Sequence, residues 1–125
     1  MKVTVKKNER VANMIFADIY PLYLNRLVEN GRTKEEFHQV IEWLTGFNEN
    51  KLQVLIEDEV TFKTFFQKAK THHNAHLIKG VVCGYRIEEI EGKFETYKQC
   101  RQMEKLIDEL AKGRKMEKIM RVEKK

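Results

Sequence analysis

A chain of 125 residues with 42% apolar and 34% charged side chains is the size of one globular domain with its own core. Seven Phe, four Tyr and one Trp exclude a disordered chain, while one Pro and six Gly are too few for the turns of a many-stranded β fold. The expected class is all-α, a single compact orthogonal bundle of six or seven short helices over residues 1–125.

The first apolar stripe is Ala12, Ile15, Phe16, Ile19, Tyr23 and Leu27, at three- and four-residue steps. Pro21 interrupts it, which predicts two short helices or one kinked helix ending at Gly31. Thr33 and Glu36 have capping-box spacing ahead of the stripe Phe37, Val40, Ile41 and Leu44, and Gly46 stops that helix. Asn48 then caps "ENKLQVLIEDE", and Thr61 caps "FKTFFQKA". Residues 71–74 read as a loop. From Ala75 to Ile90 the pattern fits a helix or, at "VVCGYRI" (81–87), a short extended segment, and Gly80 and Gly84 weaken both. A long helix follows Gly92 with Met103, Leu106, Ile107 and Leu110 inward. Its stripe loses phase at Gly113, which predicts a stop and a short amphipathic helix carrying Met116, Ile119 and Met120.

Charge is uneven along the chain. Residues 112–125 hold seven Lys or Arg against two Glu and so account for the whole net charge of +5. The segment 114–125 reads as a basic carboxyl-terminal helix or tail. Lys112, Arg114, Lys115, Lys118, Arg121 and the terminal lysines are its candidates for meeting an acidic protein or, without sequence preference, a nucleic-acid backbone. The competing reading is a solvated helix end that packs back on its own domain. Residues 34–45, a turn and 49–59 have helix-turn-helix spacing. The second helix carries Glu49, Glu57, Asp58 and Glu59 against Lys51, so phosphates would repel it.

The reactive side chains collect in "THHNAHLIKGVVCGYRIEEI", Thr71 to Ile90. His72 and His76 are four apart, but nothing nearby completes the ligand set of a zinc ion, and no metal is expected. On a helix, Cys83 would share a face with Arg86 and His76. A cation lowers a thiol pKa and an imidazole supplies a base, so these three form the catalytic alternative, a small thiol enzyme. Against it, free cysteine is among the most buried residue types and valines flank this one, which reads as an inert core thiol. Gly80 and Gly84 read as a packing hinge against another helix, since "GVVCG" lacks the Gly-Lys-Ser/Thr ending of a phosphate loop. No apolar run approaches the ~20 residues of a membrane span. The amino terminus has no signal-like h-region, and Cys83 and Cys100 lack C-x-x-C spacing. The expectations are free thiols, a cytoplasmic location, no membrane contact and no cofactor.

The stretches "FADIYPLYLNRLVENGRTKEE", "IEWLTGF", "TFKTFFQKA", "LIKGVVCGYRIEEIE" and "MEKLIDELAKGRKMEKI" together resemble the small bacterial family catalogued as domain of unknown function 2200. The resemblance covers almost the whole chain. It implies a stand-alone all-helical bacterial protein and brings no activity, cofactor or catalytic residue with it. The family pattern has Asn-Pro-x-Arg where this chain has His73-Asn74-Ala75-His76, which argues against a histidine-based site. The leading reading is a non-enzymatic binding module whose basic end meets an acidic partner. The thiol enzyme comes second, and a structural homo-oligomer third.

Overall fold

The computed structural model describes residues 2–121. Among them are seven α-helices: α1 (Val5–Ala12), α2 (Phe16–Glu29), α3 (Lys34–Thr45), α4 (Glu49–Glu57), α5 (Phe62–Lys68), α6 (Glu95–Ala111) and α7 (Met116–Ile119). Between α5 and α6 lies one antiparallel hairpin, β1 (Val81–Val82) with β2 (Tyr85–Arg86). The helical class holds, and the extended segment falls inside 81–87.

Local chemistry sets most boundaries. Thr33 and Glu36 bond reciprocally through side chains and amides at 3.1 and 3.0 Å, closing the capping box of α3. Asn48 and Thr61 accept from the amides of Lys51 and Thr64 at 2.8 and 3.2 Å. Helix α6 has no cap of its own. The Asn8 side chain, midway along α1, accepts instead from the Tyr97 amide at 3.1 Å, which ties the start of α6 to α1.

The break expected at Pro21 falls earlier, at Asn13–Ile15. Pro21 stands one turn into α2, where it costs the single bond its N–H would give to Ala17, and the helix runs through it. What interrupts the chain is pairing between two linkers. The Phe16 amide donates to Val60 at 3.0 Å, and the Phe62 amide to Met14 at 2.8 Å. Helices α2 and α5 therefore start side by side, and Phe16 stacks on Phe65 with centroids 4.2 Å apart.

Helix α6 is the centre of the bundle, touching α1, α2, α3, α5, α7 and the hairpin. Its Met103, Leu106, Ile107 and Leu110 are no more than 1% exposed. A smaller cluster of Tyr85, Ile90, Phe94 and Tyr97 joins the hairpin to the start of α6.

The hairpin corrects two expectations. Cys83 (φ +51°) and Gly84 (φ +81°) are its two turn residues, both left-handed, the type I′ arrangement that suits strand twist. Cys83 is therefore exposed at the tip rather than buried in the core. The valines before it divide as strand residues do, Val82 inward and Val81 outward. Gly80 is needed for its backbone angle (φ +104°) and not for helix packing, because a Cβ there would meet only the flexible Lys105 side chain at 3.4 Å.

Past Gly113 the chain folds back on the domain. Ile119 is fully buried, and Arg32 donates to the Met116 sulfur at 3.3 Å. Arg121 forks onto the buried Glu109, its Nη2 2.9 Å from Oε2, and Arg114 reaches the same carboxylate at 3.0 Å. Asn74 closes this clasp by donating to the Arg121 carbonyl at 3.1 Å.

Stability measurements on three variants check this account. Phe16→Ala is expected to lower the unfolding free energy by about 3–5 kcal/mol in urea denaturation. Glu109→Gln leaves the shielded Arg121 without its counter-charge and is expected to cost about 3 kcal/mol. Lys118→Gln, at an exposed position, should change stability by less than about 0.5 kcal/mol.

Candidate functional site

The structure separates the three residues of the thiol alternative. Cys83 Sγ donates to Glu104 Oε2 at 3.3 Å on one face of the molecule. His76 Nδ1 donates to the His73 carbonyl at 2.8 Å, in a cleft it shares with Thr71, His72, Glu88, Glu95 and Gln99. Arg86 lies in a third depression beside Ile90 and Phe94 and pairs with Glu88 and Glu89 at 3.7 and 4.0 Å. The three bond to other partners, and the helical register that would align them is replaced by the hairpin. Partial burial and the Glu104 carboxylate push the Cys83 thiol above its ordinary pKa, against a weaker pull from Arg101 and Arg26. Cys100 is buried and its thiol is pushed up further, first by desolvation.

The histidine loop is held by stacking. Trp43, His72 and His73 lie nearly parallel, each step 4.4 Å between centroids. His72 Nδ1 accepts from the Asn74 amide at 3.0 Å, and burial lowers its pKa, so the ring is neutral at neutral pH. Among the described residues no group of three or more His, Cys, Asp or Glu is arranged to hold a metal ion. No helix among them is long and apolar enough to cross a membrane.

Three of the five named cations of the basic end are engaged within the domain. Lys112 pairs with Asp108 at 3.0 Å, and Arg114 and Arg121 share Glu109. Lys115 and Lys118 remain exposed. The terminal Lys124 and Lys125 lie outside the described residues.

The most built site is a groove between α2 and α6. On α2, Ile19, Leu22, Tyr23 and Arg26 fall at i, i+3, i+4 and i+7 and share one face. Opposite them on α6 stand Arg101, Glu104 and Asp108. Two adjoining clefts share Leu22, Tyr23 and Glu104. One, of about 710 Å³, runs toward α1 past Arg10, Val11 and Met14. The other, of about 540 Å³, runs toward Val81, Val82 and Cys83 of the hairpin.

Glu104 gathers donors from three elements. Arg101 donates to it from the same helix, Tyr23 from α2 at 3.3 Å and Cys83 from the hairpin turn at 3.3 Å. Arg101 is itself clamped between the rings of Tyr85 and Tyr97, 5.3 and 4.8 Å from their centroids, with Nη2 donating to the Tyr97 hydroxyl at 2.7 Å. Its Nε is buried without a partner. Burial and the Glu104 charge push the Tyr23 phenol up, so it stays a donor. At the far end burial raises the Asp108 pKa, but bonds from Arg26 and Lys112 outweigh it and hold the carboxyl below its usual value. The floor is thus polar, largely satisfied and without an activated nucleophile. The rim is apolar and open: Leu22 is 62% exposed, Val81 49% and Met14 39%.

The sequence reading missed this groove. Tyr23 counts there only as part of an apolar stripe, and no motif or stripe singles out Arg101 or Glu104. Tyr23 and Glu104 are 81 positions apart, and no local spacing connects them.

The sequence and the fold are similar to those of known proteins. A family described as "Uncharacterized protein conserved in bacteria (DUF2200)" matches residues 10–121. A solved crystal structure, that of the uncharacterized protein SP1917, is similar over 90% of this chain and 92% of that one, with 32% sequence identity and a TM-score of 0.81. None of the curated proteins matches the chain. With the family pattern extending over nearly its whole length, the chain belongs to the bacterial DUF2200 family.

Proposed function

We propose that the chain is a non-enzymatic binding module, and that its binding surface is the α2–α6 groove, occupied by a helix of a partner protein. The observation that carries this is the convergence of three exposed large apolar side chains, Met14, Leu22 and Val81, on the rim of one groove. Water disfavours such a cluster, and a partner's apolar face would cover it. The grooved shape, walled by two helices, suits an inserted helix.

The basic end is a weaker candidate than its charge suggests. Much of that charge faces Asp108 and Glu109, so a polyanion would compete with carboxylates already in contact. Because Ile119 is part of the core, a truncation would damage the fold, and charge reversal is the cleaner test.

The experiment is capture from nuclease-treated bacterial lysate on the immobilised protein and its variants. Leu22→Asp is expected to lose the partner. Val28→Asp, which alters an equally exposed position on another face of α2, is expected to keep it, as is Lys115→Glu with Lys118→Glu. Retention by Leu22→Asp overturns the groove reading, and loss confined to the lysine variant returns binding to the basic end.

A second measurement addresses thiol chemistry. Cys83 is expected to alkylate slowly at neutral pH, with a midpoint above that of a free thiol. Glu104→Gln removes the anion that opposes thiolate formation, so it should shift that midpoint downward and speed alkylation. A wild-type Cys83 that titrates below a free thiol would reopen the enzymatic alternative.

A further inference from the structure

Resting on that reading of the groove, the geometry points to the chemistry of its occupant: an acidic amphipathic helix, apolar along its middle and carrying carboxylates toward both ends. The side chains lining the α6 wall run from Cys100 to Lys112, a rise of about 18 Å or a little over three helical turns. That length matches a helical segment better than a small molecule.

Charge is distributed along the groove in a definite order. At the α1 end Arg10 is exposed and makes no ion pair among the described residues. At the centre Arg101 and Glu104 cancel. At the far end Arg26 and Lys112, 47% and 72% exposed, share the single carboxylate of Asp108. Among the lining side chains each end therefore has a surplus positive charge, and between them the open surface centres on Leu22, with Met14 toward the α1 end. A ligand complementary to this order has negative ends and an apolar middle.

Other occupants fit less well. A nucleic-acid strand would set phosphates against Leu22, where nothing compensates their desolvation. An acyl chain carries its charge at one end only and gains most from an enclosed tunnel, whereas this groove is open along its rim. A helix bearing lysines would place like charges against Arg10 and the Arg26–Lys112 pair.

The test is selection of displayed helical peptides of about five turns on the folded, full-length protein. Leucines are fixed at i, i+3 and i+7, and the flanking positions are randomised over Glu, Gln and Lys. The expected winners carry Glu at both ends and bind at least about tenfold more tightly than their Lys-flanked versions. They should lose most of that advantage against Arg10→Glu, and all binding against Leu22→Asp. Winners with Gln or Lys flanks that still need Leu22 would overturn the acidic inference while leaving the groove reading intact. Acidic winners indifferent to Arg10→Glu would overturn the charge order. Winners that bind Leu22→Asp equally well, or no winners at all, would overturn both.

Discussion

One helix with two kinds of surface organises this molecule. The apolar face of α6, through Met103, Leu106, Ile107 and Leu110, gives five other helices and the hairpin a common surface to exclude water against. Its polar flank then fixes what the apolar face leaves adjustable. Glu104 takes up Tyr23 and Cys83, Asp108 takes up Arg26 and Lys112, and Glu109 takes up Arg114 and Arg121. Hydrophobic burial has no direction, so the register of α2, the hairpin and the carboxyl-terminal segment on α6 rests on these three carboxylates. Glu109 is the most buried of them, and the cost of stranding an ion in low dielectric makes its pairing the least dispensable.

The same arrangement explains why the basic end is not a simple polycation. Positive charge is concentrated at the end of the sequence, yet in space much of it lies across from the acids of α6. Charge that neutralises an internal carboxylate contributes little to a long-range field. Lys115 and Lys118 stay exposed there, and positive charge in excess of carboxylate also stands at the two ends of the α2–α6 groove, where Arg10 is contributed by the opposite end of the chain.

What was legible in the sequence was whatever local rules govern. Thr33, Asn48 and Thr61 mark helix starts because a short oxygen-bearing side chain satisfies amides that the helix itself cannot. The inward face of α6 and its stop before Gly113 follow from period alone. Pro21 misled because a proline's cost depends on what lies upstream, and here a single turn does. Cys83 misled because two-residue strands are too short for a period, so the left-handed turn at Cys83-Gly84 was invisible and the valines suggested burial. The groove was illegible for a different reason: it is a product of packing, assembled from α1, α2, the hairpin and α6, and pairing across some eighty positions leaves no trace in spacing. The satisfaction of the basic end by Asp108 and Glu109 was hidden in the same way, although all the residues involved lie within fourteen positions.

The stack of Trp43, His72 and His73 has an optical consequence. Trp43 is the chain's one indole, and it lies face to face with an imidazole that is neutral near pH 7 and becomes charged only on acidification. An imidazolium in van der Waals contact quenches indole emission, whereas the neutral ring does so far less. Intrinsic fluorescence from this protein therefore reports first on the loop at residues 71–74. A change in emission on acidification carries protonation at that contact as well as any loss of the bundle, so helicity measured by circular dichroism is the signal that follows the fold itself.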